Sequence, residues 1–162
     1  MVASLAYDGL GRRQTRVTST ATQYLYDGLN PVQELNGATP PAVMANLLTG
    51  LDIDEYFTRT DSSGNLSSFL RDALGSTVGL VGSAGTIATS YTYQPFGATT
   101  VSGASNSNTY EFTGRENDGT GSYYYRARYY SPTDQRFISQ DPKDFDGGDQ
   151  TFTAIQGTIR FS

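Results

Sequence analysis

Cysteine, histidine and tryptophan are absent from the 162 residues, and methionine occurs only twice. Without cysteine the chain forms no disulfide framework, and without cysteine or histidine it has no zinc site of the usual kind. The same absences exclude a nucleophile and base pair of the Ser–His or Cys–His type. We therefore expect no cofactor, and the composition predicts a protein that is not an enzyme unless carboxylates act alone.

Basic residues and long apolar runs are also scarce. The chain has 11 Lys and Arg residues against 16 Asp and Glu residues, and its isoelectric point is about 4.5. This acidic balance argues against nucleic acid as a partner. No apolar run approaches the ~18 residues of a membrane-spanning helix. The segment Met1–Ala6 lacks the basic and apolar regions of a signal peptide, so we expect none in this chain.

Tyrosine and glycine are abundant, with 12 and 18 copies. Tyrosine and threonine favour strands, whereas glycine marks turns and bulges. The composition therefore predicts an all-β fold of antiparallel hairpins with little or no helix. The pattern of Val43–Thr49 is compatible with a short helical turn and equally with a strand.

Alternating apolar and polar residues, separated by turn residues, predict individual hairpins. Asp61–Asn65 and Gly82–Gly85 have turn composition, and Ser102–Asn108 is a polar loop. The predicted strands around these turns are Asp52–Thr60, Leu66–Arg71, Val78–Val81 and Thr86–Tyr93.

Five tyrosines and two arginines lie within the eight residues Tyr123–Tyr130. Aromatic residues fit a pleated strand better than a helix, and a turn at Ser131–Asp134 predicts a returning strand, Gln135–Ser139. One strand through all eight residues has two faces of alternating residues. On one face we expect packed side chains, which are Tyr123, Tyr125, Ala127 and Tyr129. On the other we expect hydrogen-bonding side chains, which are Tyr124, Arg126, Arg128 and Tyr130.

A short pattern recurs near the N-terminus. Tyr7–Arg12 reads YDGLGR and Tyr26–Asn30 reads YDGLN, 19 positions later. Each copy places an aromatic residue before an Asp-Gly turn. A period near 20 residues is typical of repeat proteins, in which stacked neighbours complete each other's core.

These elements resemble a known family. The segment Tyr123–Pro142, YYYRARYYSPTDQRFISQDP, is similar to the signature of the RHS-repeat-associated core of bacterial RHS/YD-repeat proteins, which are related to teneurins and toxin complexes. The YDGLGR pattern is similar to the YD repeat itself, and Phe69–Thr77 and Tyr91–Gly97 also look like core segments. Tyr110–Glu116 resembles the next strand of the core, so the resemblance predicts a strand there. The resemblance runs from Tyr7 to about residue 148. It predicts YD-repeat-like hairpins in residues 1–35, the core in residues 36–150, and a segment outside the family pattern in residues 151–162.

The resemblance implies a curved sheet that forms part of a hollow shell around a polypeptide cargo. We therefore expect a non-catalytic structural module that builds a wall by pairing of strands. Its partners would be other copies of itself or the rest of an RHS shell, and it would be extracellular or at the cell surface. A first alternative is a self-assembling subunit of an extracellular filament or tube, because uncovered sheet edges template association.

A second alternative is catalytic. In the family, aspartates of the terminal motif are linked to self-cleavage that releases a C-terminal toxin. Asp141 matches the first Asp-Pro of that motif, but the sequence departs from the family after the Asp-Pro and Gly-Gly frame, so the second half of the motif is missing. A capping role for Asp141 at the end of a strand is therefore the stronger interpretation.

Two further features lie near the C-terminus. Asp144, Asp146 and Asp149 form a weak candidate calcium loop, but they lack the EF-hand spacing, so a solvated acidic turn is the better interpretation. In residues 151–162, Ile155, Ile159 and Phe161 share one face of a predicted strand. An exposed apolar strand promotes aggregation, so we expect it to complete a sheet edge in a neighbouring copy or in its own chain.

Overall fold

The computed structural model describes residues 3–140, which form two antiparallel sheets. In the first sheet ten strands are ordered as they occur in the chain, so each strand pairs with the next. Their bounds are β1 Ser4–Tyr7, β2 Arg13–Val17, β3 Ala21–Asp27, β4 Asn30–Asn36, β5 Val43–Thr49, β6 Tyr56–Asp61, β7 Leu66–Arg71, β8 Thr77–Gly82, β9 Ile87–Tyr93 and β10 Thr99–Gly103. The all-β prediction is confirmed.

The second sheet has four short strands, again in chain order. They are β11 Glu116–Asn117, β12 Tyr123–Tyr125, β13 Arg128–Ser131 and β14 Arg136–Phe137. A 3-10 turn, Phe112–Gly114, precedes this sheet and is the only helical element between residues 3 and 140. No helical segment in that range is long and apolar enough to span a membrane.

One five-residue loop geometry recurs along the chain. In each copy the first residue's N–H donates to the fifth residue's carbonyl, and the fourth residue's N–H donates back to the first residue's carbonyl. The fourth residue is always a glycine with positive φ, as expected for a type I turn followed by a residue in the left-handed region. The copies are Asp8–Arg12, Asp61–Asn65, Asp72–Ser76, Gly82–Thr86, Gln94–Ala98 and Glu111–Arg115.

The two YD copies both lie at hairpin turns, as predicted. The first forms the five-residue loop just described, and the Asp8 carboxylate accepts the N–H groups of Leu10 and Arg12 at 2.9 Å. The second is tighter, because Asp27 pairs directly with Asn30 across a loop of only two residues. Similar sequence therefore gives two different turns, since the second copy lacks the glycine at the fourth position.

Both ends of the ten-stranded sheet reach the same strand of the second sheet. The Tyr7 hydroxyl, on β1, lies 3.0 Å from the Tyr129 hydroxyl on β13. The next residue, Tyr130, donates to the carbonyl of Phe96 in the loop between β9 and β10, at 3.1 Å. The first sheet is therefore curved, and the second sheet lies against its concave face.

Several boundaries differ from the sequence predictions. Val43–Thr49 is a strand rather than a helical turn, and the strand predicted from Asp52 begins only at Tyr56. The predicted strand Tyr110–Glu116 is wrong, because the chain forms the loop Glu111–Arg115 there. Ser102 and Gly103, predicted as loop, are the end of β10. The predicted division between the YD-repeat-like hairpins and the core falls between residues 35 and 36, where the first sheet continues without a break. This division stays a prediction.

The single strand predicted through Tyr123–Tyr130 is also wrong. The chain turns at Arg126, which has a φ of 62°, so Tyr123–Tyr125 and Arg128–Ser131 are two antiparallel strands. Strand propensity favoured continuation, but tertiary contacts of Arg126 described below stabilise the turn. The second predicted turn, after Ser131, is confirmed, and β14 follows it.

Other predictions lie outside the described residues. They are those on Asp141, on the acidic residues Asp144, Asp146 and Asp149, and on the apolar residues Ile155, Ile159 and Phe161.

The recurrent loop predicts an asymmetric response to alanine at two glycines. Gly64, at the fourth loop position, has a φ of 84°, and nothing would contact an added Cβ. Gly82 also has open space, but its φ is not in the left-handed region. We expect Gly64→Ala to destabilise the chain by ~1–2 kcal/mol, because only the backbone is strained. Gly82→Ala should leave stability unchanged or slightly raised.

Chemical denaturation of both variants measures this difference. Equal effects of the two substitutions would contradict the assigned loop geometry.

Candidate functional site: the tyrosine and arginine network between the sheets

Arg13 joins the two sheets. Its side chain begins on β2 and is fully buried, and its Nη1 lies 2.7 Å from both carboxylate oxygens of Asp118 in the loop between β11 and β12. The guanidinium lies 4.1 Å from the ring centre of Tyr124 and 5.2 Å from that of Tyr24. Glu116 lies 3.9 Å from the same guanidinium. This one arginine thus contacts a tyrosine ring from each sheet. It also contacts two carboxylates, both from the part of the chain that forms the second sheet.

These contacts keep the arginine charged. Burial alone would lower the pKa of Arg13, but nearby Glu116, Tyr24 and Asp118 raise it well above the usual value. Arg16 adds a second cation at 3.3 Å from Asp118. A charge that is buried with its partners in place is tolerated, whereas an unpaired one is strongly destabilising.

Asp54 is the centre of a second ionic contact. This residue lies between β5 and β6, and its two carboxylate oxygens lie 2.9 Å from Arg115 and 2.5 Å from Arg126. Arg126 also donates to the carbonyl of Leu29. Asp54 and Arg126 both have positive φ, which non-glycine residues rarely adopt. The ion pairs therefore hold the turn that separates β12 from β13.

Tyrosine hydroxyls form the other contacts between the sheets. Tyr124 accepts the backbone N–H of Arg13 at 3.1 Å, and Tyr123 lies within hydrogen-bonding distance of Thr99 and the Gly97 carbonyl. Tyr125 lies 2.5 Å from the Thr113 hydroxyl in the 3-10 turn. Consecutive residues of β12 therefore reach different parts of the chain.

Aromatic stacking fills the centre of the concave face. Tyr56 and Tyr110 have ring centres 4.3 Å apart, and Phe69 contacts both rings. Leu47 completes this buried cluster. Such aromatic pairs add ~0.5–1.5 kcal/mol beyond the burial of their area. Tyrosine is thus the main core residue of this chain.

Two buried glutamates have altered acidity. Burial raises the pKa of Glu111, although hydrogen bonds from Asn117 and Tyr123 oppose the shift. Burial also raises the pKa of Glu116, and the positive charge of Arg13 opposes it. Neither carboxylate faces an open cleft where a substrate could bind, since both residues are at most 6% exposed. The arrangement is suited to joining two sheets.

The structure brings together some of the predicted residues and separates others. Tyr123 is buried as expected, and Tyr125 and Tyr129 are half-buried in the network. Arg126 pairs with a carboxylate, whereas Arg128 stacks on the ring of Phe137 at 3.8 Å. The prediction of one packed face and one hydrogen-bonding face is wrong.

Both faces of β12 are covered instead. Tyr124, expected on the hydrogen-bonding face, is as buried as Tyr123. Neither ring is therefore exposed to solvent. Within residues 3–140, no group of three or more acidic side chains is placed to hold a metal ion.

Sequence reasoning missed three residues of the network, which are Arg13, Asp54 and Asp118. Arg13 directly follows the YDGLGR pattern. The only signal for its role in the sequence was that a second arginine stands next to Arg12, although the turn uses only one. Asp118 opens a DGTG segment that has turn composition and no mark of a buried ion pair. Their role depends on contacts between positions more than 60 residues apart.

No family model matches this sequence. The chain is 30% identical over 164 aligned residues to the tRNA3(Ser)-specific nuclease WapA of Bacillus spizizenii, an alignment that covers 91% of this chain and 6% of that protein. It is 42% identical over 55 residues to the toxin subunit YenC1 of Yersinia entomophaga, covering 31% of this chain and 6% of that subunit.

Two solved structures share the fold. The TcdB2-TccC3-TEV structure superposes with a TM-score of 0.66 at 23% identity, over 88% of this chain and 8% of that one. TcdB2-TccC3 without its hypervariable C-terminal region gives 0.65 at 25% identity, again over 88% of this chain and 8% of the other. The chain thus spans less than a tenth of the length of these proteins, and its similarity to WapA and to the TcdB2-TccC3 structures covers most of its own length.

The ion pair between the sheets yields one prediction on stability. Asp118→Ala would leave Arg13 buried without its closest carboxylate, and we expect a loss of ~3–5 kcal/mol. The exposed carboxylate of Asp27 provides a matched control, and Asp27→Ala should change stability by less than ~0.5 kcal/mol. Urea denaturation measures both variants, and a small loss for Asp118→Ala would show that the sheets are held together by packing alone.

The raised pKa of Glu111 predicts a pH-dependent effect. The folded chain binds a proton at this carboxyl more tightly than the unfolded chain, so ionised Glu111 lowers stability at neutral pH. That cost disappears as the pH falls below the unfolded value of about 4.5. Glu111→Gln keeps an acceptor oxygen without the charge.

We therefore expect Glu111→Gln to be more stable than the parent chain at pH 7, with the difference disappearing near pH 4. Denaturation midpoints across this range test the expectation. A difference that is constant with pH would show that the amide acts through packing instead of charge.

Proposed function

We propose that this chain is a non-catalytic structural module of the RHS/YD-repeat type, which forms part of the wall of a larger shell. The observation that carries the proposal is the curved ten-stranded sheet, because its strands follow chain order and its outer strands β1 and β10 each lack a partner on one side within residues 3–140. A sheet of this kind is extended by adding strands at its edges. The second sheet would keep the ten-stranded sheet curved.

The relatives support this reading. WapA and the Yersinia toxin subunit are both much longer than this chain, as are the TcdB2-TccC3 proteins. The names nuclease and toxin apply to those whole proteins, of which the aligned region is a small part. A toxin context is compatible with an extracellular location and with a polypeptide cargo, which we propose on this basis.

The network between the sheets also supports a structural role. Arg13, Arg115 and Arg126 are paired with the carboxylates of Asp118 and Asp54, and the rings pack between the sheets. The alternatives of a terminal-strand filament and of self-cleavage at Asp141 depend on residues 141–162. No contact described here favours either one over the wall module.

A chimera tests the proposal. The region of Bacillus spizizenii WapA that aligns with this chain would be replaced by this chain, alongside a matched chimera that carries Asp118→Ala. We expect the first chimera to remain as resistant to limited proteolysis as the parent WapA, and the second to be cut at the insert. The isolated chain should also keep its intact mass of 17.5 kDa on storage.

Two results would contradict the proposal. If the isolated chain folds while the first chimera is digested at the insert, the module does not fit a wall. Spontaneous cleavage that Asp141→Asn abolishes would instead support the self-cleaving alternative.

A further inference from the structure

Tyr7 and Tyr129 contact each other through their hydroxyls, at the point where β1 reaches the second sheet. Their oxygens lie 3.0 Å apart, although the residues are 122 positions apart in the chain. Within residues 3–140 they are the only two tyrosines whose hydroxyls contact each other. The other tyrosine hydroxyls bond to different groups or are buried without a partner. The arrangement is therefore specific to this pair.

The pair is open to solvent. Tyr7 is 43% exposed, and its hydrogen bond with Tyr129 lies at the surface. Tyr7 is on β1, which has no strand on its outer side within residues 3–140. The buried Tyr124 contacts both rings, with ring centres 6.3 Å from Tyr7 and 5.5 Å from Tyr129. An oxidant in solution can thus reach the two hydroxyls, while a buried ring supports both side chains.

Few other side chains compete for an oxidant. Cysteine and tryptophan are absent from the chain, and Met44 is the one methionine between residues 3 and 140. Cysteine and methionine are the usual targets of oxidation in proteins. The electrons that this chain loses to a one-electron oxidant therefore come mainly from tyrosine.

We propose that Tyr7 and Tyr129 are a site of oxidative cross-linking, at which a haem peroxidase and hydrogen peroxide form dityrosine. Each phenol loses the hydrogen atom of its hydroxyl, and the two phenoxyl radicals form a bond between the ring carbons next to the oxygens. The hydrogen atoms on those carbons then move to the oxygens, which restores both phenols. The two hydrogen atoms that were lost reduce one hydrogen peroxide to two water molecules.

The geometry of the folded chain matches this product. In dityrosine both hydroxyls are adjacent to the new bond, so the two oxygens lie within hydrogen-bonding distance of each other. The oxygens of Tyr7 and Tyr129 already have this spacing. Holding two reacting groups together in this way favours their coupling over that of tyrosines on separate molecules.

The bond joins β1 to β13, and so fastens one end of the ten-stranded sheet to the second sheet. A chain without cysteine has no disulfide that could do this. Like a disulfide, a link between residues 122 positions apart restricts the unfolded chain and stabilises the folded one. The cross-link goes beyond the proposed wall function and does not rest on it.

Oxidation of the dilute, folded chain tests the proposal. The protein is treated with a haem peroxidase and hydrogen peroxide, and dityrosine is measured by its fluorescence. We expect a monomer that is lighter than the parent chain by two hydrogen atoms. Since trypsin cleaves after arginine, the link should join the peptide 1–12 to the peptide 129–136.

Two neighbouring tyrosines give a matched comparison. Tyr129→Phe removes one reacting phenol, whereas Tyr130→Phe removes a hydroxyl that donates to the Phe96 carbonyl. We expect Tyr7→Phe and Tyr129→Phe each to lower the yield of the link about tenfold or more, because coupling needs both phenols held together. Tyr130→Phe should leave the yield unchanged. Oxidation of the parent chain in concentrated urea should also lower the yield of this link, since unfolding separates the two phenols.

The proposal is overturned if no dityrosine forms, or if the phenylalanine variant at position 7 or 129 keeps the parent yield. An equal yield of this link in urea would likewise contradict it, because the fold would then play no part. Cross-links that join separate molecules, or that connect Tyr7 to Tyr124 or Tyr130, would show that the assigned pair is wrong.

Discussion

The burial of the Arg13 guanidinium between the sheets is the interaction on which the other contacts depend. A buried cation requires carboxylates close by, and here Asp118 and Glu116 come from the second sheet. The rings of Tyr24, from the first sheet, and Tyr124, from the second, also lie against the guanidinium. If the second sheet were displaced, the charge would lose two carboxylates and a ring at once. This single requirement fixes where the second sheet lies.

Tyrosine gives this core a different character from an aliphatic one. Its ring packs like a large apolar side chain, and its hydroxyl can satisfy a backbone group that packing would otherwise leave unpaired. Tyr93 donates to the carbonyl of Thr77, and Tyr26 donates to that of Arg13. Burial raises the pKa of Tyr26 and Tyr93 further above the usual value of a phenol, which is itself protonated at neutral pH. Backbone groups at a bulge or at the end of a strand can thus be buried, because a tyrosine hydroxyl forms a hydrogen bond with them.

Sequence reasoning predicted the local features and missed those that depend on distant contacts. The hairpin turns at Asp61–Asn65 and Gly82–Gly85 were predictable, because turn composition acts within a few residues. The turn at Arg126 was not, since tyrosine and arginine there favour a strand. Its left-handed backbone is stabilised by contacts of Arg126 with Asp54, 72 positions away, and with the carbonyl of Leu29. Arg12 and Arg13 are adjacent and identical in type, yet one lies in a loop and the other is fully buried. Composition cannot distinguish them.

The second sheet cannot be an independent unit. Its strands have only two to four residues, and short hairpins without a packed face are at best marginally stable in water. It must therefore form against the first sheet, and its contacts require that sheet to be curved already. Tyr129 and Tyr130 are adjacent on β13, yet they bond to the first and the last hairpin of the ten-stranded sheet. A flatter sheet would break one of these bonds. The curvature of the first sheet and the docking of the second sheet thus stabilise each other, and side chains of the second sheet fix how far the first sheet curves.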